Sequence, residues 1–531
     1  MSSRAFKTCL AVALSLIGIA YLSSRLSFAP LPWPDGPAYL IPGFELVSWP
    51  PQWRMHPQAA FVPEYDVASF NIPPGLPLIL GFTERLGLSR IFGAQLGIRV
   101  ISILGLVLFA YLLGTWIFES IHQKKYAIVI APLVTAGAVL DPVMRWGTMA
   151  VRTEIWTALA IVWGVKILAR LQDPSENEHK ELWKLSAALA CAAYSHFAGV
   201  VLVPICVIAL WRGKGSQRIW IRQLLEIGLK TCIFLLPMLI YIASNFPMFI
   251  EQMQLQFGRL SHGNAFFENP YQVFHGFFIS IGSPEGQPKF FNIAKFTFWI
   301  SILLSTVYGI FSKNKFLLAV TFLFIESFYL WASKPEFWFV PFAHMMAWIL
   351  IAALLRNSNA FQPRPLKALT ALVGIYALIS AAANTVEAYR TPASYNWSIY
   401  HDYVSCIESA IPKKPHPRVW QVGYPDVLVE LFSKNHDLDL TRSLDFQERL
   451  PAALNLISTF DLVILNFAIG PIAELPQPYR GPERDGDQRI AKTGAIPDGY
   501  DVWDRLHRDI AHWNIQICNQ GPFWAELASP K

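Results

Sequence analysis

Apolar runs of nearly membrane-spanning length recur from one end of this chain to the other. A helix rises about 1.5 Å per residue, so roughly 20 apolar residues are needed to cross the hydrocarbon core of a bilayer. About eleven segments approach this length, which predicts an α-helical polytopic membrane protein with about 11 transmembrane helices. The predicted helices cover residues 6–24, 94–118, 127–144, 155–171, 183–196, 198–211, 224–244, 294–311, 316–331, 339–355 and 366–384.

Composition favours a membrane-embedded chain over a soluble one. Of the 531 residues, 53% are hydrophobic and only 15% are charged, whereas soluble domains carry about 25% charged residues. The net charge of +6 comes from Lys and Arg residues that cluster in short loops between apolar runs. This distribution sets membrane topology and argues against nucleic acid as a partner.

The basic residues also orient the predicted helices. Clusters of Lys and Arg fall in alternate connections, so they share one side of the membrane, which the positive-inside rule makes cytoplasmic. The predicted N-terminus is therefore cytoplasmic and the C-terminus extracytoplasmic, in the plasma (inner) membrane. The long outer loops are residues 25–93, with a short interfacial helix over 73–86, and residues 245–293. The first apolar run also has features of a signal peptide, but we interpret it as an uncleaved first helix.

The tail of the chain differs in character from the rest. It contains charges of both signs, Pro-rich breaks, and strand-like runs at residues 418–422 and 461–467. This pattern predicts a small α/β extracytoplasmic domain over residues 389–531, which follows a transmembrane domain over residues 1–388.

Cysteine is sparse, and only Cys406 and Cys518 lie in the tail. Both face an oxidising compartment in the predicted topology, so we expect them to form a disulfide. Two separate buried thiols are the alternative. No Cys/His spacing indicates a zinc site. The sequence requires no cofactor, and nothing in it supports a divalent metal.

The first outer loop begins with an acidic residue among aromatic residues. Asp35 follows Trp33 and precedes Tyr39, close to a helix end. Partial desolvation at head-group depth raises the basicity of a carboxylate, and the two aromatic rings are suited to stacking on a sugar or a lipid. The alternative interpretation is a Pro-rich turn in which Asp35 caps an interfacial helix.

Three short motifs follow one another in the first part of the chain. They are Asp35-Gly36-Pro37-Ala38-Tyr39, Pro73-Pro74-Gly75-Leu76-Pro77-Leu78, and Gly97-Ile98-Arg99. In this order they resemble the GT-C superfamily of membrane glycosyltransferases, particularly the protein O-mannosyltransferase and lipid A aminoarabinose transferase branch. The first motif resembles an Asp-Glu-x-x-Tyr pattern, with Gly36 in the place of the usual Glu.

The resemblance implies a glycosyltransferase that uses a polyprenyl- or dolichyl-phosphate sugar as donor. The acceptor is then a lipid, a glycan or a protein at the outer face of the membrane, and membrane lipids surround the enzyme. Transfer inverts the anomeric centre. The resemblance makes Asp35 the general base that takes the proton from the acceptor.

Further charged residues near the outer helix ends complete the candidate site. Glu154 is a second carboxylate and Arg152 faces a phosphate with its planar fork, in a stretch similar to the Arg-x-Asp/Glu of the family. Lys334, in a loop similar to that of the family, and Arg259 are further candidates for binding the donor phosphate. Alternatively, Glu154 complements the dipole of its helix, and Arg259 is a solvated loop residue.

Two other polar residues are interpreted as structural residues rather than as members of the candidate site. Asp141, followed by Pro142, is interpreted as part of an interfacial turn, and His196 as a hydrogen-bonded core histidine.

Two other classes of function stay open. A secondary transporter for lipid-linked sugars would be expected to show inverted repeats, and none is visible. A non-catalytic membrane assembly protein would use the tail domain to bind a partner.

Overall fold

The structure, a computed structural model, is mostly helical. It describes residues 2–23, 35–54, 70, 72–121, 123–149, 152–172, 178–211, 217–261, 290–333, 340–356, 364–390, 397–424, 427–443, 457–467, 508–520 and 523–531.

The α-helices of these residues are α1 (Ser3–Ser23), α2 (Asp35–Leu46), α3 (Gly75–Arg85), α4 (Leu88–Phe92), α5 (Ala94–Ser120), α6 (Lys124–Leu140), α7 (Pro142–Met149), α8 (Glu154–Arg170), α9 (Glu178–Ser195), α10 (Leu202–Leu210), α11 (Gln217–Ser244), α12 (Phe246–Ser261), α13 (Phe290–Phe311), α14 (Lys315–Ser333), α15 (Val340–Arg356), α16 (Arg364–Arg390), α17 (Trp397–Ser409) and α18 (Leu428–Lys434). The strands are β1 (Arg418–Tyr424), β2 (Asp439–Ser443), β3 (Leu462–Phe467), β4 (Asn514–Gln520) and β5 (Phe523–Ser529). Short 3₁₀ helices cover Phe197–Val201 and Ile457–Thr459.

Each segment predicted to cross the membrane overlaps helix among the residues that the structure describes. Among the described residues, four helices are long and apolar enough to cross a membrane: α1, α5, α11, and Lys367–Val386 within α16. Shorter apolar helices occupy Lys125–Leu140, Phe197–Leu210, Phe296–Phe311 and Val340–Arg356. The count of about 11 crossings stays a prediction.

The segment predicted over residues 127–144 is two helices rather than one. The chain leaves helical geometry at Asp141, between α6 and α7. Pro142 occupies the first position of α7, where its missing N–H costs nothing, and the Asp141 carboxylate accepts a hydrogen bond from the backbone N–H of Val143 at 2.8 Å. An acid and a proline thus end one helix and start the next.

The chain divides into two compact units. Unit 1 comprises residues Met1–Tyr21 and Ser102–Glu387, and unit 2 comprises residues Leu22–Ile101 and Ala388–Lys531.

Unit 1 is a helical bundle built around α15. Every residue of this helix from Val340 to Leu355 is buried, and it packs against α6, α7, α8, α13 and α14. A helix that is buried on all faces belongs at the centre of a bundle. The first helix is also part of this bundle, because α1 buries Phe6 and Leu14 and the hydroxyl of Tyr21 donates to the carbonyl of Val139 at 2.8 Å.

Unit 2 contains a five-stranded sheet with the order β2-β1-β3-β5-β4. Strand β1 pairs in parallel with β2 and β3, whereas β5 pairs antiparallel with β3 and β4. The strands predicted at 418–422 and 461–467 are confirmed as β1 and β3, and the helix predicted over 73–86 is confirmed as α3. The small α/β character of the tail is therefore confirmed.

A disulfide joins a helix of the tail to the edge of the sheet. Cys406 of α17 is bonded to Cys518 of β4, 112 residues further along the chain. The predicted pairing is confirmed. Tyr403, one turn before Cys406, is fully buried against the ring of Phe523 in β5, and its burial raises the pKa of its hydroxyl.

Candidate functional site

The structure places Asp35 at the first residue of α2, in unit 2. This helix lies unusually close to α3. A Cβ added at Gly43 would lie 2.0 Å from the carbonyl oxygen of Pro77, and one added at Gly81 would lie 2.1 Å from the carbonyl oxygen of Gly43. Only glycine permits such an approach of two backbones. The backbones of α2 and α3 are therefore in direct contact near the end of α2.

Helix α18 of the tail covers the other side of α2. A Cβ at Gly36 would lie 3.5 Å from a methyl group of Val429, which is ordinary van der Waals contact. Nearer the end of α2, the ring of Phe44 stacks on His436 with 4.3 Å between ring centroids and meets Phe432 edge-on at 5.4 Å. The segment that carries Asp35 is thus packed into unit 2 through a helix some 390 residues further along the chain.

Glu84 ties α3 to the same part of the tail. Its side chain is buried, with 2% exposure, and lies 2.9 Å from His436 Nε2. The hydroxyl of Ser433 donates to the other carboxylate oxygen at 3.2 Å. Helices α2 and α3 are therefore both held by α18 and the residues that follow it.

Arg152 and Glu154 form a buried ion pair at the start of α8, in unit 1. Arg152 Nη2 donates to Glu154 Oε1 at 2.7 Å, and Nε donates to Oε2 at 3.2 Å, so the pair is bidentate. The exposed fractions of the two side chains are 10% and 1%. Two parallel charge-assisted hydrogen bonds fix the plane of the guanidinium group beside the carboxylate. The structure thus brings these two predicted residues together.

His196 interacts electrostatically with this pair. It lies between α9 and the 3₁₀ helix that precedes α10, and its Nδ1 accepts a hydrogen bond from the backbone N–H of Ala198 at 3.0 Å. Its predicted role as a hydrogen-bonded histidine agrees with this geometry. Nδ1 is occupied as an acceptor, so a proton on the neutral ring is carried by Nε2.

The other two predicted phosphate ligands, Arg259 and Lys334, are described by the structure only in part or not at all. The backbone of Arg259 lies in α12, and its side chain is outside the description. Lys334 lies outside the described residues, directly after the end of α14.

Asp141 is the centre of a buried polar cluster that the sequence did not reveal. Its carboxylate is fully buried, and its Oδ2 accepts from Trp348 Nε1 at 3.0 Å and lies 3.1 Å from His344 Nδ1. The ring of Phe298 stacks on His344, with centroids 4.8 Å apart. The predicted turn is confirmed by the bond to Val143, but the residue is a buried hub as well. The spacing of His344 and Trp348, four residues apart on an otherwise apolar helix, was the available signal.

Within the described residues, no group of three or more His, Cys, Asp or Glu side chains is arranged to hold a metal ion. The Arg152–Glu154 pair and His196 are better suited to binding an anion than to coordinating a metal cation. A desolvated guanidinium beside a carboxylate and a histidine can bind an anion and orient a proton.

No protein-family model and no curated protein sequence matches the chain. Solved structures do match it. The match is one of fold, and at that level it agrees with the resemblance that the sequence motifs indicated.

The similar structures include ArnT from Cupriavidus metallidurans bound to undecaprenyl phosphate. The alignment covers 99% of this chain and 98% of the ArnT chain, with a TM-score of 0.57 and 12% sequence identity. The apo state of the same protein gives a TM-score of 0.56 at 13% identity. Similar too is the archaeal oligosaccharyltransferase AglB from Archaeoglobus fulgidus, in complex with an inhibitory peptide and a dolichol-phosphate. Its alignment covers 96% of this chain and 73% of that chain, with a TM-score of 0.50 and 11% identity. At these identities the likeness is one of fold.

Proposed function

We propose that this protein transfers a sugar from a polyprenyl- or dolichyl-phosphate donor to an acceptor at the outer face of the membrane. The observation that carries the proposal is the similarity of fold over 99% of the chain to a structure with bound undecaprenyl phosphate. A second similar structure holds a dolichol-phosphate and a peptide. Two structures with lipid phosphates support a donor of this class, and the acceptor is a lipid, a glycan or a protein.

In the proposed reaction Asp35 is the general base. The acceptor hydroxyl or amine is a poor nucleophile until its proton is removed during attack on the anomeric carbon. The bond to the acceptor forms on the face opposite the departing lipid phosphate, and the anomeric centre inverts. The support for this role is the position of Asp35 at the start of a helix that α3 and α18 hold tightly.

The proposed donor site uses positive charge to stabilise the leaving phosphate. Negative charge develops on that group as the glycosidic bond breaks, and cations already in place lower the barrier. Arg152 is the first candidate, with Lys334 and Arg259 after it. In this proposal Glu154 acts as the second carboxylate of the site and holds the guanidinium group of Arg152 in a fixed plane. No cofactor is needed for this chemistry.

The proposed organisation has a transmembrane glycosyltransferase domain over residues 1–388 and an extracytoplasmic domain over residues 389–531. The N-terminus is cytoplasmic and the C-terminus lies outside, in the plasma (inner) membrane. Compact unit 2 combines residues 22–101 with the tail, which suits a tail domain that supports the outer loop carrying Asp35.

The test is the substitution Asp35→Asn, which keeps the size of the side chain and removes the proton acceptor. General bases contribute about a hundred- to ten-thousand-fold, so transfer of labelled sugar from lipid donor to envelope acceptor should nearly vanish. Membrane insertion and expression should be unchanged.

The matched control is Glu45→Gln, at the opposite end of the same helix. Glu45 pairs with Arg54 at 3.0 Å in a partly exposed ion pair, whose loss costs at most about 1 kcal/mol. Its turnover should stay close to wild type. Full activity in Asp35→Asn overturns the catalytic assignment of Asp35, whereas a wild-type protein without transfer activity favours an assembly or transport role. Equal loss in both variants indicates that α2 has misfolded.

A further inference from the structure

The beginning of α1 and the later part of α5 border a groove of about 640 Å³ in unit 1. Arg4, Lys7 and Thr8 line its polar end, and Val12 and Tyr111 line its apolar end. The groove is remote in sequence from every residue of the candidate site. A cavity with cations at one end and an apolar wall at the other suits an amphipathic ligand.

The walls of the groove are fixed by close packing of the two helices. The rings of Phe6 and Phe118 are stacked, with centroids 3.9 Å apart. A Cβ added at Gly114 would lie 2.9 Å from a methyl group of Leu10, so the glycine permits the close approach of α1 to α5. The groove is therefore a preformed feature of the bundle.

Positive charge is concentrated beside this groove. Glu119, at the end of α5, has three cations within 4 Å: Lys7 at 2.7 Å, Lys166 at 3.1 Å and Arg170 at 3.4 Å. Arg4 adds a further cation at the edge of the groove. One carboxylate cannot neutralise several cations, so an excess of positive charge remains here among the described residues.

A second carboxylate nearby does not cancel the excess. Glu181 lies 3.9 Å from Arg170, but it is also paired with Lys184. Each carboxylate therefore has more than one cationic partner. A bound anion would lower the repulsion among these cations.

The apolar end of the groove continues into an exposed apolar stripe on α1. Val12, Leu16 and Ile19 are exposed by 56%, 61% and 60%, and they lie on one face of α1. The 21 residues of α1 extend about 31 Å, close to the thickness of the hydrocarbon core. Arg4 and Lys7 at its start then lie at head-group level, with the stripe beside the acyl chains.

We propose that this groove binds one anionic phospholipid at the membrane surface where α1 begins, which is the cytoplasmic surface in the predicted topology. The phosphate lies between Arg4 and Lys7, and one acyl chain follows the stripe from Val12 toward Ile19. A free phosphate uses only the cations, whereas a lipid uses both ends of the groove.

Native mass spectrometry of the full chain in detergent, titrated with phosphatidylglycerol, tests the proposal. Each Lys or Arg near an anionic lipid surface strengthens binding by several-fold. Arg4→Gln with Lys7→Gln should therefore weaken the tightest phosphatidylglycerol site by about thirtyfold. The matched control is Arg218→Gln with Arg222→Gln, two exposed arginines at the start of α11, and it should retain the site.

A second variant covers the case in which the loss of two basic residues impairs insertion. Val12→Trp fills the groove and leaves every charge in place, so it should also abolish the tight site. The proposal is overturned if phosphatidylcholine binds as tightly as phosphatidylglycerol, or if the α11 control loses as much affinity as the α1 variant. Displacement of the lipid by glycerol 3-phosphate at equal concentration overturns it as well, because the site is then one for a free anion.

Discussion

Each of the two compact units contains a buried carboxylate that joins elements distant in sequence, but the donors differ. In unit 1, Asp141 receives side-chain donors from His344 and Trp348 in the fully buried helix α15. In unit 2, Glu430 of α18 accepts hydrogen bonds from two backbone N–H groups in the first turn of α5, at 2.9 and 3.0 Å. The first carboxylate serves as a hub between helices and the second as a cap supplied by a remote residue.

The difference follows from what surrounds each carboxylate. In an apolar bundle no water can replace a lost partner, so every polar group must be satisfied by the protein. The cap of α5 accepts from two backbone N–H groups, whereas the hub accepts from three donors. Loss of the hub should therefore cost more than loss of the cap. Unit 2 has an additional covalent constraint in its disulfide.

The largest effect is expected from Asp141→Ala. The substitution leaves Trp348 Nε1, His344 Nδ1 and the N–H of Val143 without their acceptor. Each buried group left unsatisfied costs about 1–3 kcal/mol, so the three together cost about 3–9 kcal/mol of stability. Thermal unfolding in detergent, followed by fluorescence-detected size exclusion, measures the loss.

The control for this prediction is Glu326→Gln, at an acid within the apolar helix α14. Glu326 Oε2 makes no hydrogen bond within the part of the chain that the structure describes. Its replacement by an amide should therefore leave stability nearly unchanged. Equal destabilisation by both substitutions would show that any intramembrane acid matters, and that the hub geometry is not the cause.

A smaller and local effect is expected from Cys406→Ser. The bond between Cys406 and Cys518 closes a loop of 112 residues, and loss of such a bond typically costs about 2–5 kcal/mol. Hydrogen exchange should become faster in β4 and α17 while the helices of unit 1 keep their protection. Addition of reductant to the wild type should reproduce the effect. Cys232→Ser, at a free exposed cysteine of α11, should change nothing; unchanged exchange in Cys406→Ser would contradict the prediction.

The helices could be predicted from the sequence because each apolar run carries its own signal, independent of its neighbours. A turn was predicted at Asp141, but the predicted helix was continued to residue 144 because the apolar pattern runs on into α7. Strands β4 and β5 were missed for a different reason. Four of the seven residues of β4 are polar, and its Ile515 and Ile517 are exposed, so the strand is defined by its pairing with β5 rather than by its own pattern.

The candidate site was predictable only where partners are close in sequence. Arg152 and Glu154 are two residues apart and proved to be a bidentate pair. The bonds of Asp141 to α15 join residues more than 200 positions apart. A single sequence contains no measure of such long-range pairing, because tertiary structure alone brings those side chains together.

The smallest effect is expected from Glu430→Gln, and it isolates the cap of α5 from its surroundings. The amide has one accepting oxygen instead of two and no charge to complement the helix dipole, so about 1 kcal/mol of local stability is lost. Amides in the first turn of α5 should exchange about fivefold faster, as measured by hydrogen exchange coupled to mass spectrometry. Glu408→Gln is the matched control, since Glu408 also lies in unit 2 but pairs with the exposed Lys434 of α18, and surface pairs contribute little. If both substitutions speed exchange in α5 equally, the contact from Glu430 to the helix start is not what protects it, and the contrast between hub and cap fails.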